Sequence, residues 1–176
     1  PNLTPRPGDP PPNPRSSDEG CLSDQFPCMI LALDLGTITG FAYGPNPVVS
    51  GSWNLRPTKH EDPACRFLKL EAQLDRVQYD MPIPPTMIYY EKVQRHVGTY
   101  AAHVYGGLVA TMGMWCVEQD TPVPYEGVAV GTIKKSWTGK GNASKDDMMA
   151  EAIRRGYAPT DDNEADALAI LHMVTK

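Results

Sequence analysis

Cysteine is scarce in this chain: Cys21, Cys28, Cys65 and Cys116 are all there is in 176 residues. None stands in a CxxC pair and no histidine lies at zinc-ligand spacing, which argues against a zinc module or a disulfide scaffold and for reduced thiols. A long apolar run is also missing, so no membrane-spanning helix is expected. So is a basic-then-apolar leader, which makes a cytoplasmic rather than a secreted protein the expectation. Internal repeats are absent. Basic residues are outnumbered, with a formal net charge of −5, and that sum alone does not suggest a nucleic-acid binder. The distribution says more than the sum. Acid is missing from Lys92 to Val117, where the basic residues and histidines are Lys92, Arg95, His96 and His103. It is missing again from Gly131 to Lys145, which carries Lys134, Lys135, Lys140 and Lys145.

What is present divides into two parts. Residues 1–27 are rich in Pro, Ser and charge with almost nothing to bury, and read as a disordered or extended arm. Residues 28–176 read as one domain, with apolar residues at 41% of the whole chain. CMILALDLG (28–36) is a short apolar run ended by a glycine turn, a buried strand. GFAYG and VVSGSW, separated by GPNP, add two antiparallel strands in a meander. Residues 61–79 carry Phe67, Leu70, Leu74 and Val77 at helical spacing. TMIYYEKV (86–93) is a fourth strand. Residues 99–119 form a long apolar helix rich in small residues, with one side suited to ordinary packing and the other to a dimer interface. A fifth strand (121–130) leads into a short helix opened by GTIKKSW, the loop TGKGN, a helix over 143–156 with Ser144 as N-cap, and a last helix over 158–174. The order predicts an α/β layered domain: a five-stranded mixed sheet with helices on its faces.

Three acids sit at the ends of apolar elements. Asp34 closes the first strand, Glu91 the fourth, and Asp166 precedes ALAIL in the last helix. Taken singly, each could be a cap or a surface charge. Taken together, they suggest a cation among them, because clustered carboxylates repel. Oxygen ligands without Cys or His select Mg²⁺ or Mn²⁺. Two such ions can clamp the attacking and leaving oxygens of a phosphoryl transfer. Helical spacing puts Asp162 and Asn163 on the face of Asp166.

These residues resemble a known pattern. LDLGTITG with Asp34, EKV with Glu91, TIKKSWTGKGNASK with Lys134 and Lys145, and NEADALA with Asp166, in that order, are similar to the motifs of the RuvC-type Holliday-junction resolvases of the RNase H-like superfamily, phage members among them. The resemblance covers Ile30 to the C-terminus. It implies an RNase H-like fold and a homodimer joined through the helix around 99–117. Each active site would nick one strand of a four-way DNA junction, leaving 5′-phosphate and 3′-hydroxyl ends. Asp34 would bridge two Mg²⁺ ions, for which Mn²⁺ can substitute, while Glu91 and Asp166 hold one each. Lys145 would stabilise charge on the phosphate or orient the water. Lys134, Lys135, Lys140, Arg95 and His96 would meet DNA.

Two positions depart from that pattern. Asn163 stands where the family more often has an acid or His, so the fourth ligand is Asn163, Asp162 or Glu164. The family's junction-wedging aromatic is replaced by QRHVG, leaving Arg95, His96 or Tyr100 for that role.

Other readings use the same residues. LDLGT also occurs in actin-like ATPases, which need two such domains where this chain has room for one. A flap or general branched-DNA endonuclease, or an RNase H-like enzyme, would share the metal site. A non-catalytic junction-binding protein would lack the fourth ligand.

Overall fold

The computed structural model describes residues 28–94 and 98–176, so the expected arm (1–27), Arg95 and His96 lie outside the described residues. Three strands, β1 (Ile30–Asp34), β2 (Ile38–Tyr43) and β3 (Val49–Asn54), form the antiparallel meander. β4 (Met87–Lys92) runs parallel to β1, and β5 (Tyr125–Ala129) runs parallel to β4. The sheet order is β3-β2-β1-β4-β5. The helices are α1 (Cys65–Asp80), α2 (Thr99–Glu118), α3 (Val130–Thr138), α4 (Lys145–Arg154) and α5 (Asp162–Val174). The five-stranded mixed sheet with helices on both faces is therefore as the sequence predicts. No helix among the described residues is long and apolar enough to cross a membrane.

Strand alternation assigns the two cores. Leu31 and Leu33 point to one face of β1 and, with Leu35 just past its end, pack with Ile88 of β4 beneath α1 and α2, through Leu70, Leu74, Leu108, Met112 and Trp115. Each fully buried leucine there contributes about 1.5–3 kcal/mol of transfer free energy. Ala32 of β1 and Ala42 of β2 point the other way and meet α3, α4 and α5 through Ile133, Trp137, Met148, Ala165 and Leu168. Small residues on both partners let α5 lie close to the sheet.

Element starts differ from the sequence reading for local reasons. α1 begins at Cys65 rather than residue 61, because Asp62 accepts from the Ala64 N–H at 2.7 Å and turns the chain before the helix. β5 begins at Tyr125, since Pro122 and Pro124 have no N–H for a ladder. α5 begins at Asp162, where Asp161 rather than a residue further back supplies the N-cap by accepting from the Glu164 N–H at 2.9 Å. The Ser144 cap of α4 is present, as a capping box with Asp147.

Candidate active site

The parallel strands β1, β4 and β5 end on one edge of the sheet, and the candidate residues gather there. Leu33 is in register with Tyr90, so the next pair along the two strands is Asp34 and Glu91. Alternation puts both on the face shared by Ala32 and Tyr89, which is the α5 face. The turn that follows Asp34 is stapled by Thr39, whose buried hydroxyl donates to Gly36 O at 2.8 Å and accepts from Gly36 N at 3.3 Å. At the end of β4, the Tyr105 hydroxyl donates to Glu91 O at 2.8 Å and accepts from Val93 N at 3.2 Å. That tyrosine holds the Glu91 backbone in place from α2. Sequence reasoning missed it, since a tyrosine in an apolar helix carries no signal of its own.

α5 brings the third acid. Gly40, paired with Asp34 across β1 and β2, lies directly under its first turn. A Cβ at Gly40 would overlap the Asn163 carbonyl and come within 2.9 Å of Glu164 N. The second glycine of LDLGTITG is thus a contact requirement that seats α5 on the sheet. Two serines on one face of β3 fix the same turn: Ser52 donates to Asp161 at 2.6 Å and Ser50 to Glu164 at 2.7 Å.

This disposes of Glu164 as a ligand. Its carboxylate is buried, taking bonds from Ser50 and from the backbone and hydroxyl of Thr160 at 2.7 and 2.8 Å. Asp162 instead pairs with Lys145, while Asn163 is half-buried at the point where α5 meets β2.

The lysines fall into two groups. Lys145, the first residue of α4, reaches Asp162, and its charge is felt at Asp34 and Asp166. Lys134, one turn into α3, donates to Ala143 O at 2.7 Å and acts on both Glu91 and Asp166. It therefore faces the carboxylates. Lys135 and Lys140 are exposed beyond the site. Tyr100 is exposed too, with its hydroxyl accepting from Arg66 at 3.0 Å.

Burial sets the protonation of the acids. Asp34 is held well above the usual carboxylate range by desolvation, then by Glu91, Asp166 and Asp162, with Lys145 opposing. Burial also raises Glu91, against Lys134. Asp166 is pushed up to about 7 by burial and by Glu91. Its Oδ1 is buried and has no hydrogen-bond partner among the described residues, which is costly for a carboxylate oxygen and suits a cation-ligating one. Lys145 is shifted upward by its bond to Asp162. The acids thus share one electrostatic field and an oxygen-only donor set appropriate to Mg²⁺ or Mn²⁺. As placed, no three His, Cys, Asp or Glu side chains among the described residues converge tightly enough to hold an ion.

No protein-family profile matches the chain, and no curated protein sequence does. Solved structures do match. A Thermus thermophilus RuvC in complex with a Holliday junction substrate superposes with a TM-score of 0.67 at 20% identity, over 83% of this chain and 92% of that one. A second Thermus thermophilus RuvC structure gives 0.61 at 20% identity, over 82% and 92%. The fold is that of RuvC.

Proposed function

We propose that this chain is a divalent-metal-dependent, structure-selective DNA endonuclease that resolves four-way junctions as a homodimer. The observation that carries this reading is the meeting of Asp34, Glu91 and Asp166 on one sheet edge of a RuvC fold, with Lys134 and Lys145 acting on them. Asp34, Glu91 and Asp166 would hold the metal, and Asn163 or Asp162 would complete the set. When bound, Mg²⁺ or Mn²⁺ supplies charge neutralisation at the phosphate and makes water acidic enough to act near neutral pH.

The chain's own groups do the rest. Thr39 and Tyr105 fix the ends of β1 and β4 so that the two carboxylates cannot drift apart. Lys145, paired with Asp162 beside the carboxylates, would meet charge developing on the phosphate. Lys134 holds positive potential against Glu91 and Asp166. Lys135 and Lys140 lie outward for backbone phosphates, which makes binding salt-dependent. The product ends would be 5′-phosphate and 3′-hydroxyl.

Dimerisation through α2 is supported by its outer side. Gly106 and Ala110 lie exposed there beside Met114 and Val117, 63% and 67% exposed, with Tyr125 of β5 at 43%. A second copy would bury that apolar strip.

One observation favours a different reading, a junction binder without activity: among the described residues no three His, Cys, Asp or Glu side chains converge tightly enough to hold an ion. Labelled four-way, three-way and flap DNA and an RNA–DNA hybrid, each with Mg²⁺, Mn²⁺ or EDTA, separate the possibilities. Paired nicks in the four-way substrate are expected with metal only, and Asp34→Asn should bind without cutting. Tight junction binding with no product under either metal would establish the binder. Preferred cutting of flap or hybrid would move the substrate assignment.

A further inference from the structure

Arg66 is an unusual residue to find at the start of α1. It stands four positions before Leu70 on the helix's buried stripe and is only 8% exposed. A guanidinium so placed needs its donors and its charge satisfied. Its Nε donates to Pro63 O and its Nη2 to the Tyr100 hydroxyl, both at 3.0 Å, and it lies over the Tyr100 ring at 5.9 Å from the centroid. Those bonds use two of five N–H donors, and neither acceptor is charged. Among the described residues no carboxylate pairs with it.

Arg66 lines an open cleft of about 400 Å³ together with Arg56, Thr37, Thr58 and Glu61. Glu61 is already occupied: Lys69 binds it at 2.7 Å and the Thr58 N–H at 2.7 Å. The cleft is left with two arginines that no carboxylate among the described residues pairs. Its position gives that charge a purpose. Thr37 lies three residues beyond Asp34, at most about 10 Å of chain away. The cleft opens beside α1 and α2, whereas Lys134 and Lys145 stand on the α5 side of the sheet. A nucleic-acid strand laid across the sheet edge would meet cations on both flanks of the carboxylates.

We propose that Arg56 and Arg66, with the hydroxyls of Thr37 and Thr58, form a binding site for a DNA backbone phosphate beside the scissile one. Arginine's planar fork suits two phosphate oxygens at once, and such contacts fix the register of the strand over the reacting centre. The inference rests on the nuclease reading above.

Its test is the salt dependence of four-way junction binding by the full chain, measured by fluorescence anisotropy in EDTA so that nothing is cut. Each lost phosphate contact flattens the slope of log K against log salt by about 0.9. Arg56→Ala and Arg66→Gln should each show that change and weaken binding severalfold. Lys59→Ala, exposed in the same loop but outside the cleft, should keep the parent slope. Parent slopes in both arginine variants would overturn the site, as would an equal loss in Lys59→Ala. Arg56 is exposed, so its variant decides the matter even if Arg66→Gln fails to fold. A parent that does not bind the junction at all would instead overturn the nuclease reading.

Discussion

Replacing Asp166 with asparagine keeps the shape of the side chain and removes its charge. In the folded protein this carboxyl is pushed up to about 7, by burial first and Glu91 second, against about 3.9 in an unfolded chain. Between those values the folded state holds more protons than the unfolded one, so metal-free stability falls as pH rises through that window. A difference of about 3 units corresponds to at most about 4 kcal/mol at about 1.36 kcal/mol per unit. Coupling to Asp34 and Glu91 and relaxation of a partly open site bring the expected figure to about 2 kcal/mol. For a domain of this size that is about 4–8 °C in Tm. Asp166→Asn should therefore melt about 4–8 °C above the parent at pH 8 in EDTA, and at nearly the same temperature at pH 4, where the parent's acid is already neutral. Millimolar Mg²⁺ should raise the parent's Tm at pH 8 and leave the variant's almost unchanged. The assay is thermal unfolding by circular dichroism at the two pH values, with and without metal. A difference between parent and variant that is the same at pH 4 and pH 8, or a full Mg²⁺ response in the variant, would refute the assignment of Asp166 as a buried ligand.

Lys145→Ala should lower the cleavage rate at least tenfold while junction affinity, read by gel shift, changes only modestly; parental rates would make this lysine a surface residue. Gly40→Ala should displace the first turn of α5, cost about 2 kcal/mol or more by overpacking, and reduce cleavage further than stability alone explains; denaturant titration beside single-turnover cleavage checks both. Met114→Arg, on the outer side of α2, should yield monomers in analytical ultracentrifugation and leave the far-UV spectrum unchanged, with paired nicking lost.

The three acids were legible in the sequence because each touches an apolar element end, where a charge is hard to explain without a ligand. The sheet followed from short apolar runs between glycine and proline turns. What was not legible depended on helix phase and on contacts far apart in sequence. Asp161, Asp162 and Glu164 lie within four residues, yet one caps α5, one meets Lys145 and one is bound by Ser50 and Thr160. Only the docking of α5 on β2 and β3 separates them. Tyr105 gave no signal, because its partner is a backbone carbonyl of another element. Arg66 did leave one. It continues the stripe of Leu70, Leu74 and Val77 toward the helix start, and a cation on a buried stripe calls for an account.

The three acids come from β1, β4 and α5, and this origin imposes an order of events on synthesis. A ribosome-bound chain that has emerged as far as β4 can set Asp34 beside Glu91, but it lacks both Lys145 and Asp166. Until α5 leaves the exit tunnel and settles over Gly40, the nascent polypeptide lacks the third of these carboxylates, and the same is true of any fragment cut short before that helix.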